Sequence, residues 1–87
     1  MEVKEVIITN KNGLHTRPGN VFVNLAKTFN SKVEVENGNG KKVKGTSLLK
    51  LLSLGIKEGA TVKVYTDGID ETEALEQLTQ YLIKMED

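Results

Sequence analysis

The tetrapeptide Asn37-Gly38-Asn39-Gly40 constrains this chain more than any other feature. It holds two Asn-Gly pairs, and Asn-Gly readily supplies the positive φ angles of a tight β-hairpin turn. The flanking residues fit that turn. Lys32-Val33-Glu34-Val35-Glu36 alternates strictly, as a half-buried strand does. Lys41-Lys42-Val43-Lys44 reads as a short polar return strand, an edge protected by its lysines. Two strands joined so closely run antiparallel, which excludes an all-parallel sheet.

The remaining elements interleave helices and strands. Residues 3–9 carry Val3, Val6, Ile7 and Ile8 with imperfect alternation, and Asn10-Lys11-Asn12-Gly13 ends that strand. Pro18 is tolerated only in the first turn of a helix, so it marks a helix start with His15 or Thr16 at the cap. It runs to Thr28 or Phe29, with Phe22, Ala26 and Phe29 as its apolar stripe, widened by Val21 and Leu25 and bordered by Val23. Residues 48–54 form a short helix capped by Thr46-Ser47 and ended by Gly55. Residues 60–66 alternate through Val62 and Val64 as a further strand, and Asp67-Gly68 turns. Asp70 is placed to cap the last helix with Glu73 three residues on, and Ala74, Leu75, Leu78, Tyr81, Leu82 and Met85 supply its apolar face. The order β-α-β-β-α-β-α implies an α+β fold, a four-stranded sheet with helices on one face.

Composition narrows the function. The 87 residues suit one domain spanning 1–87, and 38% hydrophobic residues suffice for a core. There is no cysteine and only one histidine, which excludes disulfide frameworks, thiolate chemistry and histidine-rich metal clusters. Lysine plus arginine and aspartate plus glutamate both total 12, so the chain has no overall charge signature for nucleic acid. No apolar run approaches a membrane span, and Met1-Glu2-Val3-Lys4-Glu5 lacks the features of a signal peptide. The expectation is a small cytoplasmic domain with no nucleic-acid partner and no membrane insertion.

Chemistry concentrates at His15. It follows a turn glycine and stands at the start of a helix, where the first N–H groups lack intrahelical partners and the macrodipole is positive. Such a helix end is an anion site, and Arg17 adds a permanently charged fork suited to phosphate oxygens. A phosphoryl group carried on the imidazole would face both, which is the electrostatic arrangement phosphoryl transfer needs. No other nucleophile–base pair, metal set or P-loop pattern competes. In residues 48–54 five of seven are leucine, more than one face of a two-turn helix can bury. Some of Leu48, Leu49 and Leu52 therefore stay exposed as an apolar patch rimmed by Lys50. Ser47, on sequence alone, is a cap and nothing more.

Together these residues resemble HPr, the histidine-containing phosphocarrier family of the bacterial phosphoenolpyruvate:sugar phosphotransferase system. Gly13-Leu14-His15-Thr16-Arg17-Pro18 resembles that family's active-site signature. Ser47-Leu48-Leu49-Lys50-Leu51-Leu52-Ser53-Leu54-Gly55 resembles its second motif, and Gly68-Ile69-Asp70-Glu71 with Ala74 resembles the entry to its last helix. The resemblance implies an open-faced β-sandwich, four antiparallel strands with three helices on one side. It implies that His15 accepts a phosphoryl group on Nδ1 from phosphorylated Enzyme I, that Arg17 assists, and that the group passes to a IIA domain of a sugar permease complex. Leu48, Leu49 and Leu52, with Thr16 and Asn20, would dock both partners. Ser47 falls on the family's regulatory serine, which implies an HPr kinase/phosphorylase and a catabolite-control regulator in hosts that have them.

The carrier so implied is a stoichiometric relay, calls for no cofactor or metal, and exposes His15 most simply as a monomer. Alternatives are the nitrogen-related phosphotransferase carrier and an HPr-like regulatory binding module. Three departures stand out. The turn at residues 37–40 is one residue longer than usual, Gly19 replaces a common alanine, and Thr46 stands where lysine is frequent. Glycine in a helix costs up to about 1 kcal/mol relative to alanine.

Overall fold

The computed structural model describes residues 1–85. Its elements are β1 (Glu2–Ile7), α1 (Thr16–Ala26), β2 (Ser31–Glu36), β3 (Lys42–Lys44), α2 (Leu48–Leu52), β4 (Thr61–Gly68) and α3 (Glu71–Lys84). The strands form one antiparallel sheet in the order β1-β4-β2-β3. The hairpin therefore lies at one edge, and the last strand inserts between the first two.

Period-two patterning sorts the sheet into a packed and an open face. Val6, Val33, Val35, Val62, Val64 and Thr66 are buried. They meet Phe22, Val23 and Ala26 of α1, Leu51 of α2, and Ala74, Leu75, Leu78 and Leu82 of α3 in one core. The opposite face carries Val3 and Ile7 at the β1 edge and is otherwise mostly polar. Register places Glu5 beside Lys63, Lys63 beside Glu36 and Glu36 beside Lys42, a row of alternating charge crossing all four strands. Opposite charges directly across strands stabilise a sheet. Tyr65 donates its hydroxyl to Glu36, and Lys42 Nζ lies 4.1 Å from the Tyr65 ring centroid. Glu36 in turn raises the Tyr65 phenol above its ordinary value. This face stays open.

Several boundaries and contacts differ from the pattern-based expectation. In the first strand Val6 and Ile8 point inward, whereas Val3 and Ile7 are exposed, which explains the imperfect alternation. Helix α1 ends at Ala26; Val21, expected to widen the apolar stripe, is exposed, and Val23, expected only to border it, is buried. Helix α2 ends at Leu52, and Ser53 is its C-cap. Asp67-Gly68 does not turn. Those residues extend β4 and pair with Lys32 and Ser31.

Asp70 stands before α3 but makes no side-chain cap, nor does a reciprocal box form with Glu73, which instead accepts from Gln77. The Asp70 carboxylate accepts from Asn30 N–H at 2.8 Å and from the Ser31 hydroxyl, fastening the start of β2 to α3. The Ser31 hydroxyl foremost, and then the Asn30 amide, hold the Asp70 carboxyl below its ordinary value of 3.8. A carboxyl depressed by folding contributes stability above its unfolded-chain pKa and loses it as pH falls through the folded value. Asp70→Asn is expected to flatten the acid limb of the stability curve below about pH 4, read by urea unfolding across pH. An acid limb identical to the parent's would remove Asp70 from that account.

Candidate functional site

The segment leading into α1 is built by local hydrogen bonds. Gly13 N–H donates to Asn10 O at 3.1 Å, and Asn10 Nδ2 donates to Gly13 O at 2.6 Å. Gly13 takes φ +66°, a left-handed conformation suited to glycine. There is also no room for a larger residue: a Cβ at Gly13 would lie 2.4 Å from Ile56 O and 2.7 Å from Lys57 Cα. Leu14 is buried, and its N–H donates to Ile56 O at 3.0 Å. The loop that follows α2 therefore seats the two residues before His15.

His15 is the N-cap of α1, extended at φ −102° and ψ −168°, and its side chain is half-buried. Its carbonyl accepts the first helical bond, from Gly19 N–H at 2.8 Å, while the imidazole makes no capping bond. Thr16 and Arg17, both exposed, open the helix with N–H groups that have no carbonyl four residues earlier within it. Pro18 comes next, buried, where no helical donor is needed. The Tyr81 hydroxyl reaches Pro18 O at 3.4 Å and braces this turn from α3.

The leucine helix lies against the same turn. A Cβ at Gly19 would sit 3.2 Å from Leu48 Cδ1 and 3.4 Å from Leu52 Cδ2. Leu48 and Leu52 are half-buried, Leu49 is 82% exposed, and Leu51 alone in this helix is buried, at 1%. Asn20 and Val21 are exposed on the adjoining surface of α1. Val21, which the helical stripe assigned to the core, is exposed. The Ser47 side chain caps α2 by accepting from Lys50 N–H at 3.4 Å. His15, Thr16, Arg17 and Asn20 thus lie on the first turns of α1, whose Gly19 packs against Leu48 and Leu52 of α2, while Leu49 stands exposed and Ser47 caps that helix. Among the described residues no group of three histidine, cysteine or carboxylate side chains is placed to hold a metal ion.

At Gly19 the leucine helix approaches α1 closely. Gly19→Ala gains helix propensity of up to about 1 kcal/mol against a slight displacement of two flexible leucine ends. A small net rise in stability, roughly 0.5 kcal/mol, is expected in thermal unfolding. A marked loss would show that Leu48 and Leu52 have no freedom to move.

A family described as the HPr component phosphorylation site of the phosphotransferase system matches residues 3–84. The multiphosphoryl transfer protein of Salmonella typhimurium is 41% identical over 76 residues, which cover 85% of this chain and 20% of that protein. The chain thus spans about a fifth of the length of the curated relatives it matches. Among solved structures, HPr of Thermoanaerobacter tengcongensis superposes with a TM-score of 0.89 at 40% identity, covering 94% of this chain and 91% of that one. The phosphocarrier protein HPr of Bacillus anthracis superposes with a TM-score of 0.88 at 37% identity, covering 93% and 95%.

Proposed function

This chain belongs to the HPr family of the phosphotransferase system, and from that membership we propose that it is a stoichiometric phosphoryl carrier with His15 as the acceptor. The observation that carries this reading is the position of His15, half-buried as the N-cap of α1, the helix whose Gly19 lies against Leu48 and Leu52 of α2. Nδ1 attacks the phosphorus held by phosphorylated Enzyme I, and the bond to the donor breaks as the N–P bond forms. The leading N–H groups of α1 and the Arg17 guanidinium offset the charge of the transferring group. The same groups serve the second transfer, to a IIA domain, in which the N–P bond breaks. No turnover of a separate substrate is involved.

Docking uses Leu48, Leu49 and Leu52 with Thr16 and Asn20. Leu49 is 82% exposed, and covering such a side chain is worth on the order of 2 kcal/mol. Both partners must meet this patch in turn, because it adjoins the one imidazole. Ser47 is the regulatory site, the target of an HPr kinase/phosphorylase whose product a catabolite-control regulator reads. Its hydroxyl already faces the leading N–H groups of α2, an end that tolerates negative charge. The carrier works as a cytoplasmic monomer. Among the described residues no helix is long and apolar enough to cross a membrane.

Incubation with Enzyme I and labelled phosphoenolpyruvate tests the central step. The expected label is stable in alkali and released by acid, as an imidazole phosphoramidate is. A folded protein that takes no label from active Enzyme I overturns the reading.

A further inference from the structure

The hairpin tip reaches the far end of the leucine helix. Asn37 Oδ1 accepts from Asn39 N–H and Lys41 N–H, both at 3.0 Å, which organises the turn. Its amide Nδ2 donates to Leu54 O at 3.2 Å. Lys41 Nζ donates to Ser53 Oγ at 3.3 Å, and that hydroxyl donates to Lys50 O at 2.6 Å. One asparagine therefore builds the hairpin with its oxygen and grips the exit of α2 with its nitrogen. The other end of α2 is already tied to the same hairpin, because β3 runs through Gly45-Thr46 into Ser47.

Helix α2 needs such a grip. It has five residues, too few to be stable alone. Leu51 is its one buried residue, Leu48 packs partly against the core and Leu54 is buried just beyond its exit, so contacts at its two ends help settle its roll. Roll decides where Leu48, Leu49 and Leu52 point. The grip also lies two residues before Ile56, whose carbonyl seats Leu14 ahead of His15.

We propose that Asn37, assisted by Lys41, is a positioning residue that orients the docking leucines of α2, making the extended hairpin turn a determinant of partner affinity. The proposal rests on the docking role assigned to those leucines above. It deepens that role by naming what holds the surface in its binding orientation.

Asn37→Asp separates the two functions of the side chain: both acceptor bonds inside the turn survive and the donor to Leu54 O is lost. Backbone amide exchange at Ser53, Leu54 and Gly55 is expected to quicken about threefold to tenfold, the equivalent of one modest hydrogen bond, while Asn39 and Lys41 exchange as before. KM for the carrier in transfer from phosphorylated Enzyme I is expected to rise by a similar factor with kcat within about twofold, a loss of binding rather than of chemistry. Lys41→Met moves the same readouts in the same direction by less. Unchanged exchange overturns the clamp. Quickened exchange with an unchanged KM, or a fall confined to kcat, overturns its role in docking. A parent protein that accepts no phosphoryl group fails the carrier reading instead, and exchange still judges the clamp.

Discussion

His15→Ala is expected to abolish phosphoryl transfer while leaving the fold standing. The imidazole makes no capping bond to α1, and the first helical bond uses the His15 carbonyl, which alanine retains. The ring is half-buried at the surface rather than part of the core. The stability change should therefore stay within about 1 kcal/mol. Transfer should fall by about three orders of magnitude or more, because the variant has no nucleophile to form the covalent intermediate. A time course with labelled phosphoenolpyruvate and Enzyme I, run beside a thermal melt, checks both halves. Acid-labile label on the variant would move the acceptor away from His15. Loss of the melt would show that the ring has a structural role as well.

The second large effect is at Gly13, where the expected damage is to the fold and the site together. A side chain at φ +66° costs about 1–2 kcal/mol in backbone conformation alone. The added Cβ meets Ile56 O at 2.4 Å and Lys57 Cα at 2.7 Å, both backbone atoms that no rotamer change can move aside. Gly13→Ala should cost about 2–4 kcal/mol in total, read by denaturant unfolding. Separating the two loops also breaks the bond from Leu14 N–H to Ile56 O, so His15 loses its placement and transfer slows although the nucleophile remains. Gly55→Ala is the control. Gly55 has a similar φ of +64° but no atom within 4 Å of an added Cβ, so only the conformational cost applies. Equal losses in the two variants would mean that the close approach of residues 13 and 56 contributes nothing.

Much of this molecule was legible in its residues. Two Asn-Gly pairs between alternating segments indicated the β2–β3 hairpin, and Pro18 after a turn glycine placed the cap of α1 at His15 or Thr16, of which the structure has His15. The surplus of leucine in residues 48–54 indicated an exposed patch, and Leu49 is exposed. These features depend on neighbours within a turn or a strand, where side-chain chemistry alone biases the backbone. The element order and the family resemblance were legible for the same reason.

Tertiary structure decided what depends on distant pairs. Asp70 has the sequence context of a helix cap, yet it bonds to Asn30 and Ser31, 40 and 39 residues away. Val21 and Val23 are equally apolar and close in sequence, and only the seating of α1 on the sheet sends one outward and the other into the core. Gly19 reads as a weak point in a helix until Leu48 and Leu52 are set against it. Asn37 reads as a turn residue until its amide is found on Leu54, 17 residues on. Local pattern determines that each element forms and which kind it is. The directions of individual polar groups are settled later, by whichever partner the packed core brings within hydrogen-bonding reach.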